Sequence, residues 1–241
     1  MAGHSKFANI RHKKEKQDAI RGKVFTKLGR ELAVAVKQGG ADANTNAKLK
    51  DIIAKAKASN MPNDTIERSI KKAAGELDNV NYEAITYEGY GPAGIAIIVK
   101  TLTDNRTRTV ANVRSAFTKG GGNMGQSGSV AFQFDNIGQI IIEKHSEIDE
   151  EELIMLSLEA GATDFLSHDD GYEIITEPSN FSAVREVIEQ INSPILQAEL
   201  TMLPKLLSQL TSDDDIKKMN KLLDILEQDD DVQDVYHNWE N

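Results

Sequence analysis

Cysteine is absent from the 241 residues, which excludes disulfides, thiolate chemistry and cysteine-ligated zinc. Long apolar runs are absent as well. The purest, residues 95–99 and 140–142, are far too short to span a bilayer. The basic N-terminus is followed by no apolar segment, so it does not read as a secretory signal. No nucleophile elbow, HExxH helix or other catalytic signature occurs. Paired carboxylates are unselective in a chain with 38 acidic residues. The five histidines are scattered, and His168-Asp169-Asp170 falls in an expected hairpin turn with no second cluster to support a metal site. These absences leave the expectation of a cytoplasmic non-enzyme with no cofactor, no metal and no membrane partner.

What is present is a division of charge. Residues 1–75 hold 17 basic and 7 acidic side chains, net +10, whereas residues 76–241 hold 11 basic and 31 acidic, net −20. Such asymmetry points to separate modules with different partners. The positive charge is densest in residues 1–37, with ten Lys or Arg against Glu15, Asp18 and Glu31.

Residues 1–14 show no apolar period and read as an arm in which Lys6, Arg11, His12, Lys13 and Lys14 are interleaved with Phe7 and Ile10. From residue 16 to 38 the pattern is helical. Ile20, Val24, Leu28, Leu32 and Val36 recur every four residues, and Lys16, Lys23, Lys27, Arg30 and Lys37 fall in a sector opposite that stripe. The stripe predicts an outward ridge. Gly39-Gly40 suits a C-cap. Two further helices are expected over 45–58 and 62–74, the second opened by Pro62 and stopped by Gly75. Three helices in so short a stretch make a small all-α domain, 1–78.

The pattern then changes to α/β. Strands over 82–90 and 95–102 form a hairpin around Gly91-Pro92-Ala93-Gly94. Thr103-Asp104-Asn105 caps a helix to residue 119, and a strand is expected over 129–134. Strands at 138–144, 163–167, 172–176 and 195–203, with helices at 149–159 and 181–191, give βαββαβ, the order of a ferredoxin-like fold. A helix over 213–228 and a strand over 232–237 have no sheet of their own. If they pair with the hairpin, residues 79–134 and 205–241 form one α/β domain and 135–204 a second one inserted in it. The expected fold class is therefore α+β: a three-helix domain, then two ferredoxin-like domains, one inserted into the other.

The loop from Gly120-Gly121-Gly122 to Gly128 follows a helix and precedes a strand and contains no lysine. Phosphate-cradling loops have the reverse order, so it reads as a connector. Arg106 and Arg108 stand in the first turn of a helix, where the macrodipole disfavours cations. That placement fits either an anion such as phosphate or a salt bridge to the acidic body, and both readings stand.

The opening Met-Ala-Gly-His-Ser-Lys-Phe-Ala-Asn-Ile-Arg-His-Lys-Lys resembles that of the YebC/PmpR family. So do Gln17-Asp18-Ala19 with Arg21-Gly22-Lys23, and Asn60-Met61-Pro62 with Asp64-Thr65-Ile66-Glu67-Arg68. The likeness continues through Tyr87-Glu88-Gly89-Tyr90-Gly91-Pro92, Thr103-Asp104-Asn105-Arg106-Thr107-Arg108-Thr109 and the loop of residues 120–129. The sequence departs at Phe7, where the family commonly has Trp, and at Ala93, where Gly is usual. It departs too at Phe132-Gln133-Phe134, where a Trp- or Met-containing variant is common. The resemblance implies three domains and a cytosolic non-enzyme. It implies either a DNA-binding transcriptional regulator or a translation factor at the ribosome that assists stalled, proline-rich synthesis.

Lysine and arginine bind phosphates largely without reading sequence, and aromatics stack on unpaired bases. The expected partner is thus nucleic acid, either DNA or ribosomal RNA, met by a monomer. The candidate contacts are Lys6, Phe7, Arg11, His12, Lys13, Lys14, Lys16, Arg21, Lys23, Lys27, Arg30, Arg106 and Arg108.

Overall fold

The computed structural model describes residues 21–75, 80–144, 149–191 and 195–240. Three helices lead: α1 (Arg21–Gly39), α2 (Ala47–Ala58) and α3 (Asn63–Ala74). Their apolar stripes are buried as the periodicity demands, at Leu28, Leu32 and Val36 in α1, Leu49 and Ile52 in α2, and Ile66 in α3. Gly40 follows α1 with φ +85°, the left-handed position that ends many helices. Asn46 then caps α2 by accepting from Leu49 N, and its Nδ2 donates to Gly40 O at 2.8 Å. A Cβ at Gly39 would lie 2.7 Å from the Asn46 side chain, so this turn requires glycine at two successive positions.

Two four-stranded sheets follow. In the first, β1 (Glu83–Tyr90) and β2 (Ala96–Thr103) pair antiparallel from Glu83↔Thr103 to Tyr90↔Ala96. The helix α4 (Arg106–Lys119) leads to the two-residue β3 (Asn123–Met124), which pairs with Gly89 and Tyr90. The last two elements, α7 (Asp213–Gln228) and β8 (Val232–His237), return to this sheet, where β8 pairs antiparallel with β2 and completes the order β3-β1-β2-β8. Ser212 caps α7, and Asp213, Asp214 and Asp215 occupy its first turn, where the macrodipole favours carboxylates. The core on the helical face joins Ile97 and Val99 of β2 to Phe117 of α4 and to Met219 and Leu222 of α7.

The second sheet is formed by strands that lie between these elements in sequence. They are β4 (Phe134–Glu143), β5 (Ala162–Ser167), β6 (Gly171–Thr176) and β7 (Ile195–Pro204), with α5 (Glu150–Glu159) after β4 and α6 (Phe181–Gln190) after β6. The order is β5-β6-β4-β7, and Ile140, Ile142, Tyr172 and Ile174 pack with Leu153 of α5 and with Phe181, Val184 and Ile188 of α6. The class is α+β, with the ferredoxin-like strand order expected from the βαββαβ pattern.

By contact the chain forms two compact units. One takes in Gly39–Arg68 and Asn136–Thr201, the other Thr26–Gln38, Ser69–Asp135 and Met202–Asn241. In the first, Asp51 of α2 receives Ser182 Oγ at 2.8 Å and the Arg185 guanidinium at 2.9 Å. The second contains the first sheet with α4 and α7.

One expected strand is corrected. Residues 129–134 do not form a strand of their own. Ala131–Gln133 is a 3-10 turn, and Phe134 opens a strand that continues to Glu143. The reason is local: the backbone N–H groups of Gly128, Val130 and Ala131 donate to the carboxylate of Glu88, and so are withheld from any strand ladder.

Candidate nucleic-acid interface

Of the candidate contacts, Lys6, Phe7, Arg11, His12, Lys13, Lys14 and Lys16 lie outside the described residues. Arg21 begins α1. Lys23 is half-buried one residue past Gly22. Lys27 Nζ donates to Glu227 O at 3.4 Å, and Lys37 Nζ donates to Val80 O.

Arg30 departs from the outward ridge. Its Nη1 donates to Asp231 Oδ1 and Asp230 O, both at 2.8 Å, and to Leu102 O at 3.1 Å. The guanidinium also lies over the Tyr82 ring, 5.6 Å from the centroid. The ridge reading is thus corrected at this position, because a buried carboxylate competes with solvent for the arginine and needs a cation.

Asp231 is 2% exposed, and Arg30 is one of three side chains that converge on it. Arg108 donates Nε to Oδ2 at 2.9 Å and Nη2 to both carboxylate oxygens at 2.8 Å, and the same Nη2 meets Asp104 Oδ1 at 2.8 Å. Thr109 Oγ1 donates to Asp231 Oδ2 at 2.8 Å. Burial pushes the Asp231 carboxyl up, but the bonds from Arg108, Arg30 and Thr109 outweigh it, and its pKa lies below the ordinary value. The same contacts raise the pKa of Arg108. Of the two readings left open for the arginines in the first turn of α4, this geometry gives Arg108 the salt bridge. Arg106 makes only a long, exposed pair with Glu83, at 3.3 Å.

A second buried carboxylate orders the Gly-rich loop. Glu88 is 5% exposed and receives Gly128 N at 2.7 Å and Val130 N and Ala131 N at 2.8 Å each. Burial alone would raise its pKa; the three backbone donors prevail and lower it. The glycines answer to packing: a Cβ at Gly122 would come within 2.4 Å of Tyr90 O, and at Gly120 within 2.4 Å of Leu222 Cβ.

Sequence reasoning passed over both carboxylates. Asp231 closes Asp229-Asp230-Asp231, a run that reads as solvated. Glu88 carried a usable signal, since it is a carboxylate in the interior of a strand whose other acid, Glu83, stands at its end. His168 lies 3.3 Å from the buried Glu173. Among the described residues no group of His, Cys, Asp or Glu could hold a metal ion, and no helix is long and apolar enough to cross a membrane.

Comparison with known proteins accounts for nearly the whole chain. Residues 5–76 match the TACO1/YebC protein N-terminal domain, and residues 82–239 match the TACO1/YebC second and third domain. The chain belongs to the TACO1/YebC family. A relative from Lachnoclostridium phytofermentans, named a "probable transcriptional regulatory protein", is 61% identical over 241 residues, the full length of both chains. One of the same name from Agathobacter rectalis is 59% identical over the full length of both. The crystal structure of a conserved hypothetical protein from Aquifex aeolicus superposes with a TM-score of 0.80 at 43% identity, covering 93% of this chain and 92% of that one. The family's segments include both carboxylate clusters, since Glu88, Arg108 and Asp231 all fall in the second and third domain.

Proposed function

We propose that this protein is a nucleic-acid-binding regulator of gene expression, acting on DNA as a transcriptional regulator. The observation that carries the reading is the polarity of charge: net +10 over residues 1–75 against net −20 over the remainder. A polyanion is the partner that such a basic segment attracts, through counterion release. The names of the relatives from L. phytofermentans and A. rectalis support a regulatory role. Because Arg30 and Arg108 are engaged by Asp231, phosphate contact falls to Lys6, Arg11, His12, Lys13, Lys14, Lys16, Arg21, Lys23 and Lys27, with stacking by Phe7. Arg106, whose partner is distant and exposed, remains available to an anion.

A second reading has the same basic residues bind ribosomal RNA during translation. The interleaving of Phe7 with Arg11 and Lys13 favours it, because aromatic rings serve unpaired bases better than duplex grooves. Sedimentation of cell extract through a gradient in modest salt separates the two. Transcriptional action leaves the protein at the top and shifts promoter DNA in a gel. Co-migration with ribosomal subunits that is lost when Lys13, Lys14 and Lys16 are replaced selects translation. A protein that binds neither DNA nor ribosomes contradicts both.

A further inference from the structure

Among the described residues, Phe132 carries the most exposed large aromatic ring, at 67%, and its position is built, not frayed. It sits in the 3-10 turn Ala131–Gln133. On its N-terminal side the backbone of Val130 and Ala131 is held by Glu88, and the Val130 side chain is fully buried. On its C-terminal side Phe134 is buried in the same small cluster, with Ala96 and Ile98. Anchors on both sides point inward and leave Phe132 outward.

The ground around it is aromatic and apolar. Tyr90 is 36% exposed, and its Oη donates to Ser129 O at 3.0 Å and accepts Gln133 Nε2 at 3.3 Å, which holds the phenol beside the turn. Gln133 O accepts Lys205 N at 2.9 Å, which brings in Leu206, 80% exposed.

The charge pattern selects among occupants. Residues 105–134 form the longest stretch of the chain without an Asp or Glu, 30 residues, and lie within a portion whose net charge is −20. Arg114 and Lys119 in this stretch are exposed and make no ion pair among the described residues. Lys119 ends α4 three residues before Gly122, whose backbone abuts Tyr90 O. The Glu88 carboxylate beside the turn is buried and taken up by three backbone donors, and Asp135 is paired with Lys205 at 3.3 Å. An exposed ring in an acid-free run of sequence that also carries unpaired cations matches the combination by which proteins hold single strands, a π-face for the base and positive charge for the phosphates.

The geometry points to Phe132 as a stacking platform for an unpaired base of single-stranded nucleic acid, with Tyr90 beside it and Lys119 toward the phosphates. This rests on the nucleic-acid reading above and adds a second contact, distant in sequence from the basic arm.

The test uses the full-length protein and a fluorescent oligouridylate, with a DNA duplex of equal length as the comparison. Phe132→Ala is expected to weaken oligouridylate binding roughly five- to a hundred-fold, the loss of about one base–aromatic stack, with the duplex unaffected and the salt slope unchanged. Phe132→Trp restores binding. If Phe132→Ala binds as the wild type while replacement of Lys13, Lys14 and Lys16 abolishes binding, the platform is wrong and the nucleic-acid reading stands. If the wild type binds neither probe, both fall. If sedimentation velocity shows a wild-type dimer that Phe132→Ala dissociates, with RNA affinity unchanged, the patch belongs to a second copy and the platform is overturned.

Discussion

Arg108 grips both carboxylate oxygens of Asp231, with Nε at 2.9 Å from Oδ2 and Nη2 at 2.8 Å from each oxygen. This pair joins the first turn of α4 to the residue just before β8, 123 positions later. Arg30 and Thr109 complete the shell, so side chains from three separated segments share one charge balance. Asp231→Asn keeps the volume but removes the charge and leaves the arginines and the buried Thr109 hydroxyl incompletely satisfied. Breaking a buried pair costs about 3–5 kcal/mol; because Arg108 is 43% exposed and can recover water, the expected loss is about 2–3 kcal/mol. Urea unfolding measures it, and a midpoint unchanged from wild type contradicts the role.

Acid should act through the same residue and through Glu88. Both pKa values are depressed in the folded protein, from 3.8 for Asp231 and from 4.5 for Glu88. A depressed carboxyl pKa stabilises the fold above the unfolded value and loses that contribution as pH falls through the folded value. The acid limb of the stability curve should therefore fall steeply below about pH 4.5. Glu88→Gln should flatten it, since the substituted side chain has no proton to gain. It should also destabilise by about 1–3 kcal/mol, because its amide NH2 faces backbone donors that need an acceptor. Hydrogen exchange provides an independent readout, with the amides of Gly128, Val130 and Ala131 losing protection. An acid limb equally steep in Glu88→Gln rules this account out.

Much of the fold was legible because its signals are local. The bounds of α7 and β8, Asp213–Gln228 and Val232–His237, coincide with those read from apolar period and acidic first turn. Asn105 caps α4 by accepting from Arg108 N, as its place before the helix implied. The failures share a cause of another kind. The turn at Ala131–Gln133 depends on Glu88, some 40 residues earlier, and the inward turn of Arg30 depends on Asp231, 201 residues later. Periodicity places Arg30 on the polar side of α1 and carries no information about a carboxylate that arrives from the far end of the chain.

A smaller departure has an energetic reading. Ala93, in the hairpin turn, adopts φ 50° and ψ 24°. The left-handed region costs an L-residue about 1–2 kcal/mol, while a glycine there loses about 0.4–1 kcal/mol through the entropy of the unfolded chain. The Ala93 methyl is exposed, so its removal forfeits little burial. Ala93→Gly should raise stability by roughly 0.5 kcal/mol, a small increase in Tm. A lower Tm means that the strain is absorbed elsewhere in the turn.

The basic residues divide into two classes with opposite experimental signatures. Arg108 works within the fold, so Arg108→Lys should lower stability, because lysine cannot reproduce the paired contact with Asp231. Nucleic-acid affinity measured on the folded fraction should change little. On the proposed function Lys13, Lys14 and Lys16 meet phosphate, so replacing all three with Gln should leave the unfolding midpoint in place and weaken binding to every sequence alike. The slope of log K against log salt should become shallower by roughly 0.7–0.9 for each lost contact. An unchanged slope removes these lysines from the interface. A slope that flattens in Arg108→Lys moves Arg108 from the fold's charge balance to the surface that meets the polyanion.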